Sequence, residues 1–291
     1  MSKVLILRLF PAYRSDYFTS TQMIIDETYS IIKKKYDKRF NEVTLEQVVI
    51  GIYFTAVKLS SGYSGLAYTN LDSLDCCAHN RTKGFGDFTP GNFKGRKVAA
   101  LFSHYDQSCL IKTVELAVMN AISAELMAES SYKITENQDP IDLVDLQGGK
   151  RICVVGAFLS YIKKIAETDC ILQIVELNEA VVPEEYKQYL VPSHLSEKTI
   201  SNSEIIIITG ASLANNTLDR MLELISSGTQ VIVVGPTSSL IPDVLFAHGV
   251  DVLGATRITD SDNMLEMVAE GASGFQLFKS CATKICIVNE S

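Results

Sequence analysis

The chain holds no apolar run approaching the ~20 residues that cross a bilayer. Its N-terminal Val4-Leu-Ile-Leu-Arg-Leu-Phe10 is short and broken by Arg8, unlike a signal peptide. A soluble, cytoplasmic protein with no membrane partner is therefore expected. Basic charge is scarce too: the formal net charge is −8, which works against the phosphate contacts that nucleic-acid binding draws on. One dense basic cluster, Lys33-Lys-Lys35 with Lys38 and Arg39, closes a mixed-charge helical stretch and reads as a solvated face. No nucleic-acid partner is expected. Phosphate-binding P-loops, nucleophile elbows, paired zincin histidines and kinase signatures are all missing. Cysteines are few, odd in number at seven and irregularly spaced, with Cys153 and Cys170 inside strand-like runs where a reduced thiol packs as a small hydrophobe. Disulfides are not expected.

What the chain does have is 291 residues and 47% hydrophobic content, enough for a substantial core and about two domains. The most telling pattern lies in the second half. Ile205-Ile-Ile-Ile208 and Val231-Ile-Val-Val234 each end in a loop of small residues, Thr209 to Thr217 and Gly235 to Leu240, with a helical stretch between. Strand, loop and helix repeated in this way is the plan of a parallel α/β sheet, whose ligands bind where strands end. Further strands are predicted at Arg151 to Val155, Cys170 to Glu176 and Val250 to Gly254, and helices at Leu159 to Thr168, Leu218 to Ser227, Pro242 to His248 and Asp260 to Glu270. A Rossmann-like domain over residues 151–291 follows.

Ahead of it, Asp16 to Tyr36 has helical spacing, Val48 to Leu59 and Leu66 to Thr69 read as a β-hairpin about the turn Ser60 to Gly65, and Cys109 to Met127 is apolar on most faces, a buried helix. The polar stretch from Asn70 to Arg96 is either a functional excursion or a mobile loop. These elements make a smaller α+β domain over residues 1–136, joined by a linker over 137–150 that contains Asn137-Gln-Asp-Pro140 and Gly148-Gly149.

The candidate site residues follow from this plan. Gly156 closes the first strand, but Phe158 and Tyr161 stand where a dinucleotide fingerprint needs glycines, so the loop does not read as an NAD or FAD site. Gly156 either serves a ligand or permits a tight turn. Glu176, at the end of the second strand, can accept hydrogen bonds from ribose hydroxyls, cap a helix, or face water. Thr209, Gly210 and Asn215 in one loop, and Gly235, Pro236 and Thr237 in the next, offer hydroxyl, amide and backbone N–H groups at helix starts, where anions are favoured. Asn216 and Thr217 read as helix caps. Neither loop carries Lys or Arg, which argues for a small ligand over a polyphosphate. From the first domain, Tyr68 and His104 are candidates to approach the pocket. His104 is equally a packed or surface histidine.

Asp75, Cys76, Cys77 and His79 bring soft donors together, though adjacent cysteines are too close for ordinary tetrahedral zinc spacing. Cys281 and Cys286 lack a second pair. His248, before Gly249, reads as a helix end.

Taken together these residues resemble the family described as putative heavy-metal chelation proteins. The resemblance is carried by Val154-Val-Gly-Ala-Phe158, Ile174-Val-Glu176, Thr209-Gly-Ala-Ser-Leu-Ala-Asn-Asn-Thr-Leu218, Val234-Gly-Pro-Thr237 and His248-Gly-Val-Asp-Val-Leu253. In the first half it is carried by Gly51-Ile-Tyr-Phe-Thr-Ala-Val57, Gly65-Leu-Ala-Tyr-Thr69 and Ala117-Val-Met-Asn-Ala121. It implies an enolase N-terminal-like domain packed on a Rossmann-like domain, with a site in the cleft between them. It does not imply enolase activity, because no barrel follows to supply magnesium ligands. Three readings stay open: binding of a small anionic or metal-chelating ligand, with a metal ion or chelate as cofactor; a transferase or lyase using a nucleoside-bearing cofactor such as adenosylmethionine; and a non-catalytic scaffold. A homo-oligomer is compatible with each.

Overall fold

A computed structural model describes residues 23–70, 88–89, 91–103 and 109–290. The described residues begin with helix α1 (Met23–Tyr36) and a single turn, α2 (Arg39–Glu42), then β1 (Leu45–Ile50), β2 (Phe54–Leu59) and β3 (Ser64–Tyr68). These three strands form an antiparallel sheet in the order β1-β2-β3. A short α3 (Val98–Leu101) and the long α4 (Cys109–Glu129) complete the first part. The stretch Val48 to Leu59, expected as one strand, is two, because the chain turns at Gly51. A Cβ there would lie 2.4 Å from the Val268 carbonyl, so only glycine lets this turn seat on the helix that holds Val268.

The second part is a sheet of seven strands: β4 (Ile134–Glu136), β5 (Arg151–Val155), β6 (Ile171–Val175), β7 (Ile205–Thr209), β8 (Gln230–Val234), β9 (Val252–Ile258) and β10 (Ala282–Val288). Its order is β4-β10-β9-β8-β7-β5-β6. Strands β5 to β9 run parallel, and β10 and β4 are added antiparallel at one edge. β4 precedes the Asn137 to Lys150 segment, so this sheet takes a strand from the chain before it. Helices α5 (Leu159–Ala166), α6 (Ser196–Asn202), α7 (Ala211–Ala214), α8 (Leu218–Leu224), α9 (Asp243–Ala247), α10 (Ser261–Ala269) and α11 (Gly274–Ser280) fill the connections. The molecule is thus a mixed α/β protein, with a mostly parallel seven-stranded sheet and a separate small antiparallel sheet. Among the described residues no helix is long and apolar enough to cross a membrane.

The parallel strands explain the runs in the sequence. Alternate residues of β5, β7 and β8 enter two cores: Cys153, Val155, Ile206, Ile208, Val231 and Val233 face one, and Ile152, Val154, Ile205, Ile207, Ile232 and Val234 the other. A strand covered on both faces reads as an unbroken apolar run. The first of these cores also holds Ile24 and Ile32 of α1 and Val114, Val118 and Ile122 of α4, so apolar packing runs through both parts of the chain. Burial of this kind stabilises by about 25 cal/mol per Å² of apolar surface removed from water.

Polar contacts then fix how the parts sit. The Ile24 N–H donates to Asp219 at 3.0 Å, His248 Nε2 lies 2.9 Å from Glu27 Oε2, and Lys35 donates to Asp243 at 2.6 Å. Arg39 binds Glu125 and Glu129. The basic cluster is therefore not simply a solvated face, since Lys35 ties α1 to α9 and Arg39 ties α2 to α4.

Candidate functional site

Counted over the parallel strands alone, β5 is first, β6 second and β7 third, and the spatial order becomes 2-1-3-4-5. The chain reverses its direction of travel across the sheet between β5 and β7. In such sheets the connections leave on opposite faces at that point, which opens a crevice beyond the strand ends. Gly156 lies there, with φ +103°, and its N–H donates to the Val175 carbonyl. A Cβ on Gly156 would come within 3.0 Å of the Thr209 Cβ, so Gly156 and Thr209 abut across the reversal point. Glu176 follows β6 directly and is half-buried; one of its oxygens accepts the Asn178 N–H at 2.9 Å. Gly156, Thr209 and Glu176 thus share one edge of the sheet.

The loops after β7 and β8 are neighbours and interlock. The Gly210 N–H donates to the Val234 carbonyl, and a Cβ on Gly210 would meet the Ser238 N and Oγ at 2.8 Å. Gly235, at φ +134°, donates to the Gly254 carbonyl and introduces a 3₁₀ turn, Pro236–Ser238. Gly210 and Thr237 are buried in these contacts, whereas Thr209, Asn215, Gly235 and Pro236 remain half-buried. Asn215 is committed locally: its Oδ1 accepts the Thr217 hydroxyl at 2.6 Å, in the corner between α7 and α8. Asn216 takes a left-handed conformation, φ +58°.

The first part of the chain covers these loops. The Tyr68 N–H, at the end of β3, donates to Thr237 Oγ1 at 2.9 Å, and Asn120 Nδ2 donates both to the Leu66 carbonyl at 2.6 Å and to the Thr237 carbonyl at 2.9 Å. Thr237 is therefore the bolt between β3, α4 and the β8 loop. Asn120 was absent from the sequence-derived candidates. The signal was there: a lone Asn in the otherwise apolar run Leu116 to Ile122. It is buried, and its Oδ1 has no hydrogen-bond partner among the described residues.

One further feature of this edge is electrostatic. Helix α5 begins three residues after Gly156 without a side-chain cap, and its exposed first residues, Leu159 and Ser160, have no backbone N–H partner among the described residues. Free N–H groups at the positive pole of a helix favour an anion. They point from the same strand end as Gly156.

The fit to a metal can be judged from donor chemistry. Among the described residues no three His, Cys, Asp or Glu side chains converge. Burial pushes the Cys153 thiol up to about 12 and the Cys286 thiol up to about 11, and it also raises Cys281, so these sulfurs are held as thiols and not as the thiolates that bind metal. Cys281 and Cys286 belong to different cores. His104, Cys76, Cys77 and His79 lie outside the described residues. The described donors thus do not make a site for a bare ion.

Fold and strand-end geometry define a class: a parallel α/β protein whose strand-end edge is roofed by a smaller α+β unit. Residues 139–287 match the family described as putative heavy-metal chelation (DUF364), and residues 33–123 match a second family of the same description (DUF4213). The chain belongs to the putative heavy-metal chelation family. It is similar to an uncharacterized protein of Methanocaldococcus jannaschii, 25% identical over 182 residues, a match that covers 60% of this chain and 64% of that protein. The chain thus spans less than two thirds of that relative's length. Two crystal structures of proteins of unknown function from the DUF364 family share the fold. One, from Pyrococcus horikoshii, has a TM-score of 0.72 at 18% identity, covering 92% of this chain and 100% of that one. The other, from Desulfitobacterium hafniense, has a TM-score of 0.68 at 22% identity, covering 91% and 100%.

Proposed function

We propose that the protein binds a small anionic or metal-chelating ligand at the strand-end edge, between the β5–α5 turn and the β3 roof. The observation that carries this reading is the pair of N–H groups of Leu159 and Ser160 that have no partner among the described residues, beside Gly156 and Thr209, at the point where the strand order reverses. In this reading the acid group of the ligand sits over the first turn of α5, Gly156 allows close approach of the backbone, and Thr209 and Glu176 orient the remainder. Tyr68 closes the far side. A metal arrives already held by its organic or oxo ligands, since the described protein donors do not form a metal shell. The family description supports a role in heavy-metal handling or metal-cofactor metabolism. Native mass spectrometry of the full chain with molybdate, and with nickel, cobalt and zinc as citrate chelates, tests it. The expected result is a stoichiometric adduct with an anionic species; uptake no greater than that of an unrelated acidic protein refutes it.

A second reading has one observation in its favour. Glu176 ends the strand next to β5, where a carboxylate can accept from ribose hydroxyls. Adenosine and adenosylmethionine are then ligands, and a transferase or lyase becomes the function. Binding of either nucleoside that survives Glu176→Ala counts against this reading.

A further inference from the structure

A second cavity lies away from the strand-end edge, also between the two parts of the chain. It encloses about 680 Å³, within the range of small-molecule sites. One wall comes from the β2–β3 turn, with Tyr63 and Ser64. The floor is the last two turns of α4, where Ala124, Met127 and Ala128 present small or pliable apolar surface, and Arg257 and Ser261 close it from the end of β9 and the start of α10.

Its chemistry is lopsided. In a chain with net charge −8, the lining contains one guanidinium and no carboxylate. Arg257 directs Nη1 out to Glu136, which is not part of the lining, and its Nε and Nη2 have no partner among the described residues. The Tyr63 hydroxyl is likewise without a partner there. Ser64 and Ser261 pair their hydroxyls at 2.8 Å. Free donors on one side and an alanine and methionine floor on the other are the two halves of a recognition site. A guanidinium presents a planar fork matched to a carboxylate, while a single cation is too little for a polyphosphate.

We infer that this cavity is a second ligand site, distinct from the strand-end edge, and that it takes a small monocarboxylate with an aromatic or branched apolar body. The carboxylate pairs with Arg257 and accepts from Tyr63, and the apolar body lies over Ala124, Met127 and Ala128. Both parts of the chain contribute walls, so a bound ligand touches both.

Calorimetric titration of the full chain with 4-hydroxyphenylacetate, with 4-hydroxyphenylacetamide as its uncharged counterpart, tests the assignment. The acid is expected to bind and the amide to bind at least tenfold more weakly. Arg257→Gln is expected to weaken the acid tenfold or more, and Ala128→Trp, which fills the floor, to remove binding, with circular dichroism confirming that each variant folds. Ser160→Glu, at the strand-end edge, is expected to leave this binding unchanged. No heat with the acid at millimolar concentration, or binding undiminished in folded Ala128→Trp, overturns the inference.

Discussion

Replacing Asn120 by Ala removes both hydrogen bonds that hold α4 to β3 and to the β8 loop, at 2.6 and 2.9 Å. Each is worth about 1 kcal/mol net, with more at stake because the Leu66 and Thr237 carbonyls would be left without their donor in the interior. Truncation of the side chain leaves a small void, adding about 1 kcal/mol. Against this, the unpartnered Oδ1 disappears with the side chain, which returns about 1 kcal/mol. The expected loss is about 2 to 3 kcal/mol, read as a fall in the urea midpoint at constant slope. Asn120→Asp sharpens the test. It keeps the shape but offers a carboxylate to two carbonyl oxygens, so at neutral pH it is expected to lose on the order of 4 kcal/mol, more than Ala. Burial beside those carbonyls raises the introduced carboxyl above its unfolded value, so the ionisation part of the penalty is absent below the ordinary carboxylate range and grows as pH rises, while one of the two donor bonds stays lost because a protonated carboxyl has a single O–H. A loss under about 0.5 kcal/mol for Ala, or an Asp variant no worse than Ala at neutral pH, refutes the assignment of Asn120 as the junction.

Gly65→Ala places a Cβ 2.2 Å from the Ala117 carbonyl and 2.4 Å from the Ala121 nitrogen, both backbone atoms, so β3 must lift from α4; a loss exceeding about 3 kcal/mol is expected in thermal or urea unfolding. Burial raises the Cys153 thiol from 9.0 to about 12, so its contribution to stability is complete below pH 9 and falls by about 1.4 kcal/mol per unit above it; Cys153→Ala is expected to flatten that alkaline limb. Burial acts to raise the Asp243 carboxyl, but its bonds to Lys35 and Tyr132 outweigh that and hold it below 3.8. Its contribution is present above the ordinary carboxylate range and lost as pH falls through it, and Asp243→Asn is expected to remove that part of the acid limb.

The parallel strands were legible because Ile205 to Ile208 and Val231 to Val234 are covered on both faces, and only strands of that kind are apolar at every position. Elements with weak signatures were not. β10 carries Thr283 and Lys284 half-exposed, α7 is a single turn, and the extra turn at Gly51 hid inside a run of β-branched and aromatic residues. The candidate edge was legible in outline, since glycines after apolar runs mark strand ends. Its finer sorting was not: Gly210 and Thr237 turn inward because of Ser238, Tyr68 and Asn120, partners set by folding and not by spacing. The second cavity left no trace in the sequence. Tyr63, Ala128 and Arg257 are far apart in the chain and meet only when β9 packs beside α4 and the β2–β3 turn.

Anion binding at the strand-end edge depends on the N–H groups at the start of α5, which have no partner among the described residues, and Ser160→Glu addresses them alone. Ser160 is exposed, and a negative charge in the first helical turn favours the helix, by about 0.3 to 1 kcal/mol. The same charge occupies the place proposed for the anionic ligand. Titration of wild type and Ser160→Glu with molybdate and with the citrate chelate that gives the strongest adduct is therefore expected to show at least tenfold weaker binding in a variant whose unfolding midpoint is unchanged or raised. Equal affinity in the two proteins would contradict the account.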